Sequence, residues 1–407
     1  MAEHNASPDA EFKVPEWINT ALIQKALQKS EEGNLQVQDI SVEMGTAPGD
    51  NYSSSIYRVR ATLSDGSPRS YLVKGPPPGV MGETTAQLGA FRVENLMLSD
   101  IVPQVEALLE EAAPGRFPPF AARCPLYGSH PVEFLVLQDL APAGFKMADR
   151  KRGLDLRHSL LALQNLARYH AGSHALLRRK PQLREELPPH WLEKADEGAK
   201  QFLENMIQMA ADACRSWPGY EEYAILLERY KLVAMETGKV CARPKPGAFN
   251  VIAHADFWVN NMMFQYEDGY PQPQGYRMVD FQGCTVSSPS LDLLYFFNTS
   301  VTDDVSARHQ KLLLQEYHST LEETLRLLRL EAPSYETLLK DLDAHGPFAL
   351  MGTLNVIPFV RAQRAVDLEA SLTTGGNGLA YLYEDPAVKK WMQRVLPEYK
   401  RKEWLDS

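Results

Sequence analysis

Three oxygen-bearing side chains give the strongest chemical signal in this sequence. Asp256 and Asn261 lie in the segment HADFWVNN, and Asp280 follows in MVDF. The flanking patterns predict a loop at Asp256, a strand that opens at Asn261 and another that ends near Asp280, so the three would converge at one end of a small hairpin. Hard oxygen ligands of this kind suit Mg²⁺ on substrate phosphates, and a remaining carboxylate could accept the proton of an attacking hydroxyl. The alternative is a hydrogen-bonded turn cluster, because Asp and Asn are common at bends.

A second, independent signal lies upstream, in a lysine and a glutamate. Lys74 ends a predicted strand, and Glu94 lies on the following helix, on the face shared with Phe91 and Leu98. A lysine and a glutamate on consecutive elements provide the arrangement that holds nucleotide phosphates. Taken singly, each is better explained as a solvated surface charge. Their order along the chain, ahead of the Asp256 segment, favours nucleotide binding.

The first part of the chain is predicted to be rich in strands. Turn residues separate short apolar runs, which indicates a three-stranded meander between two helices. Pro103 is expected to stop the second helix. The predicted elements are a helix over 15–31, strands over 37–44, 52–63 and 70–74, a helix over 84–102 and a buried strand over 133–140.

The remaining chain is predicted to be mainly helical. Residues 156–179 place apolar side chains at spacings of three and four on one face, as in a long amphipathic helix. A small β island interrupts the helices at 248–254, 261–267 and 276–281, and the chain beyond 305 is helical again. The sequence therefore predicts an α+β fold with a β-rich first lobe and a larger helical lobe that carries a small β insertion.

Composition and charge exclude several classes of protein. The 407 residues include 42 Lys and Arg against 52 Asp and Glu, a net charge of −10, which argues against non-specific nucleic-acid binding. Four scattered cysteines form no C-x-x-C pair and indicate a reducing compartment. Because the amino terminus lacks a signal-peptide pattern and no apolar run is long enough to span a membrane, we expect a soluble, cytoplasmic protein without membrane partners.

Several segments together resemble the eukaryotic-protein-kinase-like small-molecule kinases, a group that includes aminoglycoside and choline kinases. Within that group the chain closely resembles the ecdysteroid kinase-like family. The resemblance covers about three quarters of the chain. The segments that carry it are GDNYSSSIYRV (49–59), FRVENLML (91–98), LVLQDLAPAGF (135–145), LARYHAGSHAL (166–176), HADFWVNNMMF (254–264), YRMVDFQ (276–282) and SSPSLDLLYFF (287–297).

The resemblance implies roles for the residues of both signals. Asp256 matches the catalytic-loop aspartate, and Asn261 and Asp280 match the two metal ligands. Lys74 and Glu94 match the lysine that holds the nucleotide phosphates and its helix partner. ATP and Mg²⁺ are thus the implied cofactors, bound between the two lobes.

The resemblance also places the nucleotide loop and the hinge. The turn before the second predicted strand occupies the loop position but lacks the glycine pattern of protein kinases, so Asn51, Ser53 and Ser54 would offer donors to the nucleotide. A plain hairpin turn is the alternative. Gln138 to Leu140 would form the hinge, whose backbone bonds adenine.

Four further residues are expected to be structural. Asp292 opens a predicted helix, as an N-cap or first-turn residue does, and the resemblance implies that it also braces the catalytic loop. His170 and His174 are four residues apart on a helix, but without an H-E-x-x-H pattern or a third ligand we expect packing rather than zinc binding. Asp139 is expected to cap or brace the hinge.

The resemblance implies an ATP-dependent kinase that phosphorylates a bulky, mainly apolar alcohol, most plausibly an ecdysteroid or a related steroid. The expected organisation is an N-terminal extension over 1–34, an ATP-binding lobe over 35–140 and a helical lobe over 141–407 that holds the catalytic loop and the acceptor. Other acceptors remain open: a xenobiotic alcohol, a choline-like amine or an aminoglycoside. A pseudokinase scaffold and a metal-dependent phosphoesterase are the alternatives from other classes.

Overall fold

The structure, a computed structural model, describes residues 14–31, 34–45, 54–77, 82, 89–267, 269–362 and 378–405. A β-rich N-terminal region precedes a larger helical part, which confirms the predicted α+β, two-lobed kinase-like fold. Contacts divide the chain into two compact units. The first comprises residues 1–77 with 123–139, and the second comprises residues 78–122 with 140–407.

The strands form one large and two small sheets. Antiparallel pairing orders the large sheet β1-β2-β3-β5-β4, and the small sheets are β6-β8-β9 and the pair β7 and β10. The first three strands confirm the predicted meander. The strands are β1 (Val37–Met44), β2 (Ser55–Leu63), β3 (Pro68–Gly75), β4 (Leu126–Gly128), β5 (Phe134–Gln138), β6 (Phe145–Met147), β7 (Val251–Ala253), β8 (Met262–Gln265), β9 (Gly275–Met278) and β10 (Thr285–Ser287).

A single helix covers one face of the large sheet. The helix Thr20–Ser30 buries Leu22, Ile23 and Ala26 in one apolar cluster with Val59 of β2 and other sheet residues. Each fully buried side chain of this size contributes roughly 1.5–3 kcal/mol. The helix begins five residues later than the predicted 15–31, because the side chain of Asn19 accepts a hydrogen bond from the N–H of Leu22 at 3.1 Å and caps it.

The second unit is built mainly from helices. In the helix Leu156–Arg179 most residues between Ser159 and Leu177 are buried. The helices of this unit are Ala90–Leu96, Val102–Ala112, Leu156–Arg179, Leu183–Glu186, Glu197–Ser216, Glu221–Lys231, Ala234–Ala242, Ser290–Thr299, Asp303–Arg308, Gln310–Leu327, Tyr335–Ala344, Gly346–Asn355, Ile357–Arg361, Tyr381–Glu384 and Pro386–Arg401.

The prediction that Pro103 stops a helix is wrong. A π-helical turn, Met97–Ile101, leads directly into the helix Val102–Ala112, and Pro103 lies in the first turn of that helix. The N–H of Val102 donates to the carbonyl of Met97, five residues back, which is the spacing of a π turn. Pro103 then lies in the first turn of the next helix, where a backbone N–H needs no partner within the helix. Proline at a first helical turn is favourable rather than disruptive.

The division into two units does not decide where the predicted domains begin and end. The helices Ala90–Leu96 and Val102–Ala112, placed by the sequence in the 35–140 lobe, cluster with the second unit. The domain boundaries given above therefore remain a prediction. Among the described residues, no helix is both long and apolar enough to cross a membrane.

Candidate active site

The loop 254–261 of the second unit is held between two small β structures. Strand β7 ends at Ala253 and pairs with β10, whereas β8 begins at Met262 and pairs with β9. Pairing extends one residue beyond β8 and β9, because the N–H of Val279 donates to the carbonyl of Asn261 at 3.1 Å. The chain from β9 to β10 therefore passes beside the loop and brings Asp280 to it.

Within the loop, the side chain of Asn261 holds both the backbone and the side chain of Asp256. The amide nitrogen of Asn261 donates to the backbone carbonyl of Asp256 and to its carboxylate oxygen Oδ2, both at 2.8 Å. Since both amide hydrogens are used, the amide oxygen is the atom that Asn261 can offer to a cation. One asparagine thus fixes the Asp256 carboxylate and retains a hard oxygen ligand.

Asp256 and Asp280 are close enough to affect each other electrostatically. Burial and, next, the charge of Asp280 raise the pKa of Asp256 to about 6. A hydrogen bond with the hydroxyl of Tyr295, on the helix Ser290–Thr299, opposes the rise. A carboxylate with a pKa near 6 is ionised at pH 7 and well suited to accept a proton.

Asp280 occupies an unusual backbone position. Its φ of 65° lies in the left-handed region, which Asp and Asn tolerate better than most residues. Gln282, at the place where protein kinases have glycine, donates from Nε2 to Oδ2 of Asp280 at 3.4 Å. In addition, the turn Phe281–Gly283 packs against the helix Ala90–Leu96.

Asp292 braces the loop through hydrogen bonds to its backbone, as the resemblance implied. This fully buried carboxylate accepts the N–H of His254 at 2.8 Å and the N–H of Ala255 at 2.7 Å. His170 contacts the same carboxylate from Nε2 at 3.0 Å, and its Nδ1 lies 2.7 Å from the hydroxyl of Tyr317. The loop is therefore anchored to two long helices, Leu156–Arg179 and Gln310–Leu327, through one carboxylate.

Sequence reasoning missed Tyr295 and Tyr317. The two histidines make hydrogen-bond contacts: His174 through Nδ1 with the carbonyl of Asn250 at 2.8 Å, and His170 through Nε2 with Asp292. No group of three His, Cys, Asp or Glu side chains that could hold a metal occurs within the described ranges. The sequence did contain a signal that Asp292 has partners. Asp292 lies in the first turn of the apolar helix SLDLLYFF, and an aspartate that is buried must be paired.

Ala255 stores backbone strain in the loop. Its φ is 62°, a conformation that costs an L-residue roughly 1–2 kcal/mol relative to glycine. We expect Ala255→Gly to raise the free energy of unfolding by about 1 kcal/mol, measured by urea denaturation. Ala199→Gly, within the helix Glu197–Ser216, is the control and should lower it by about as much. A destabilised Ala255→Gly variant would contradict the strain argument.

The residues of the predicted nucleotide site belong to both units. Lys74 is 3% exposed on β3, between Ile56 of β2 and Leu135 of β5, in the first unit. Glu94 is 1% exposed on the helix Ala90–Leu96 in the second unit. Neither is a solvated surface charge. Ser54 is buried just before β2, whereas Asn51 and Ser53 lie outside the described residues.

The predicted hinge is only partly free to bond adenine. The N–H of Gln138 donates to the carbonyl of Arg123 at 2.8 Å, and the carbonyl of Leu140 accepts from Ala143 and Phe145. Asp139 braces this segment, as expected, because its Oδ2 accepts from Arg58 Nε at 2.8 Å and from the Ser70 hydroxyl at 2.7 Å.

Comparison with known families agrees with this geometry. The family model described as the ecdysteroid kinase-like family matches residues 48–330, well over half of the chain. No curated protein matches the sequence. The matched range includes the loop 254–261, Asp280 and the brace Asp292.

Proposed function

The chain belongs to the ecdysteroid kinase-like family, and from this premise we propose that it transfers the γ-phosphate of ATP to a hydroxyl of an apolar alcohol, an ecdysteroid or related steroid. Family membership supports a kinase-type phosphotransferase acting on small molecules. The single observation that best supports phosphotransfer here is the braced loop in which Asn261 holds Asp256 beside Asp280.

Asp256 orients the acceptor in this proposal. Its carboxylate, held through Oδ2 by Asn261, accepts a hydrogen bond from the acceptor hydroxyl and then its proton. The acceptor oxygen attacks the γ-phosphorus, the bond from that phosphorus to the bridging oxygen breaks, and ADP leaves. Asp292 acts indirectly by fixing the backbone of His254 and Ala255. The remaining assignments, proposed as well, are Lys74, Glu94, Asn51, Ser53, Ser54, Gln138 and Leu140 for the nucleotide.

The donor set fits a magnesium ion bound together with nucleotide phosphates. Asn261 and Asp280 would supply an amide oxygen and a carboxylate, the hard ligands that Mg²⁺ prefers. Burial and, next, the charge of Asp280 raise the pKa of Asp256, which supports a cation that is shared by the two carboxylates. A divalent cation supplies charge neutralisation for the transferring phosphoryl group when bound.

Metal dependence provides a prediction for Asp280. We expect Asp280→Asn to lose most Mg²⁺-dependent turnover and to bind ATP more weakly in Mg²⁺ than the unchanged protein does. Asparagine is the better substitution because, unlike alanine, it tolerates the φ of 65°. Turnover is measured against free Mg²⁺, and nucleotide binding is measured with and without a chelator. Turnover that persists at the same rate after removal of divalent cations would exclude these ligands.

The acceptor is proposed from family membership rather than from a pocket. The sequence over 347–363 is rich in the apolar residues that line pockets, but Phe348, Leu350, Leu354 and Ile357 are buried in the helical core. Ordinary packing explains the apolar character of this stretch.

A competition assay tests the proposed acceptor class. The full chain is incubated with ATP, Mg²⁺ and matched panels of ecdysteroids, choline-like amines and aminoglycosides, and phosphate-shifted masses are read. We expect the ecdysteroid panel to be phosphorylated first and Asp256→Asn to phosphorylate none. Preferential phosphorylation of the cationic panels would refute the steroid acceptor and leave the kinase assignment intact, whereas absence of ATP turnover with every panel would count against both.

A further inference from the structure

Two arginine side chains lie over the ring of a buried tryptophan in the second unit, and a lysine precedes this tryptophan in the sequence. Arg361 ends the helix Ile357–Arg361, while Lys390, Trp391 and Arg394 lie on the helix Pro386–Arg401. The guanidinium carbons of Arg361 and Arg394 lie 3.9 and 4.1 Å from the centroid of the Trp391 ring. Together with Asp303 these four residues are called the Trp391 cluster.

The cluster carries more positive than negative charge. Asp303 accepts from Arg361 Nη1 at 3.1 Å through Oδ1 and from Lys390 Nζ at 2.9 Å through Oδ2, so both of its oxygens are engaged. Glu398, the next carboxylate on the last helix, pairs with Lys402 at 3.0 Å. Three cations and one carboxylate leave 3 − 1 = +2 in a chain whose net charge is −10.

Buried donors in the cluster lack acceptors. Within the part of the chain that the structure describes, Arg361 Nε, Arg394 Nη2 and Trp391 Nε1 have no hydrogen-bond partner. Trp391 is 1% exposed, and the side chain of Arg361 is 14% exposed. Native proteins pair the great majority of buried donors, because a buried donor without an acceptor loses the hydrogen bonds that it made with water. Three such donors in one cluster point to a ligand rich in acceptors.

The charge of the cluster persists at neutral pH. Burial lowers the pKa of Arg361 to about 10, with Asp303 opposing and Arg394 adding to the decrease. Burial also lowers the pKa of Arg394, and Asp303 again opposes it. A guanidinium stays protonated in proteins, so both arginines carry their charge at neutral pH.

We propose that the Trp391 cluster binds the oxyanion group of a small molecule: a phosphate, a sulfate or a carboxylate. Such groups present several oxygens to the planar fork of an arginine, and an indole N–H adds one more donor. The site uses residues of the second unit that have no part in the proposed phosphotransfer, so the two proposals stand or fall separately.

Inorganic phosphate and sulfate are suitable probes for the full chain. Thermal unfolding is followed while either anion replaces chloride at constant ionic strength. We expect the midpoint to rise with phosphate or sulfate, since a ligand of the folded state stabilises it by mass action. Lys390→Met and Arg394→Met should each raise the apparent dissociation constant about tenfold, which corresponds to ~1.4 kcal/mol.

A matched lysine serves as the control. Lys340 and Lys390 are both 76% exposed and each pairs with one carboxylate, so Lys340→Met should bind phosphate like the unchanged protein. Lys74→Met, which would weaken phosphate binding at the proposed nucleotide site, should also retain the effect. The proposal is overturned by the absence of stabilisation in the unchanged protein, by equal stabilisation of the Lys390→Met and Arg394→Met variants, or by loss of the effect in Lys74→Met.

Discussion

Replacing Asp256 with asparagine is expected to lower turnover by about two to four orders of magnitude while leaving ATP binding nearly unchanged. Asparagine preserves the size of the side chain, and its amide oxygen can still accept from Asn261 Nδ2, which holds Oδ2 of Asp256 at 2.8 Å. It cannot accept the proton of the acceptor hydroxyl. Only the chemical step should therefore suffer. Formation of ADP and phosphorylated acceptor under saturating ATP measures the first effect, and calorimetric ATP binding measures the second.

The stability of this variant separates lost chemistry from lost folding. The pKa of Asp256 is about 6 in the folded protein, against 3.8 for an ordinary aspartate, so ionisation disfavours folding at pH above 6. A neutral asparagine removes that penalty, and Asp256→Asn should melt at the same temperature as the unchanged protein or higher. Asp304→Asn, on the surface, is a control that should retain full activity. Full activity in Asp256→Asn would refute the assignment of the loop.

Local sequence patterns predicted elements whose ends are fixed by neighbours in the chain. The helix Leu156–Arg179 and the strand Val37–Met44 have the predicted bounds. At the start of that helix, Asp155 accepts a hydrogen bond from the N–H of His158 at 3.0 Å, a cap encoded within four residues. Such contacts can be read from one stretch of sequence because their partners lie within it.

Features that depend on distant partners or on a rare backbone state could not be predicted in this way. Rules that assume regular helices and loops do not predict the π turn before Pro103 or the left-handed backbone of Ala255. Tyr317 lies 147 positions from His170 in the chain, and nothing local to either residue indicates their contact. The order of Lys74, Glu94 and Asp256 predicted a kinase-like fold. The hydrogen bonds that support the loop join residues far apart in the sequence, so they could not be predicted from it.

Removing the Asp292 carboxylate should destabilise the second unit more than any other single substitution considered above. Asp292→Ala leaves two buried backbone N–H groups, of His254 and Ala255, without their acceptor and deprives His170 of its partner. Breaking a buried charged network by removal of one member costs about 3–5 kcal/mol. We expect a loss of this size in the free energy of unfolding, measured by urea denaturation at pH 7.

A graded series shows whether the brace acts through its hydrogen bonds. Asp292→Asn should lie between the alanine variant and the unchanged protein, because its amide oxygen can accept one N–H while its amide nitrogen faces the other donor. Asp304→Ala, which removes surface contacts with Arg308 and His309, should cost less than about 1 kcal/mol. If the free energy of unfolding of Asp292→Ala were within about 1 kcal/mol of that of the unchanged protein, the loop would not depend on this carboxylate. Because Asp256 follows the two braced residues directly, both Asp292 variants should also lose turnover at temperatures where they remain folded, which a purely global loss of stability would not produce.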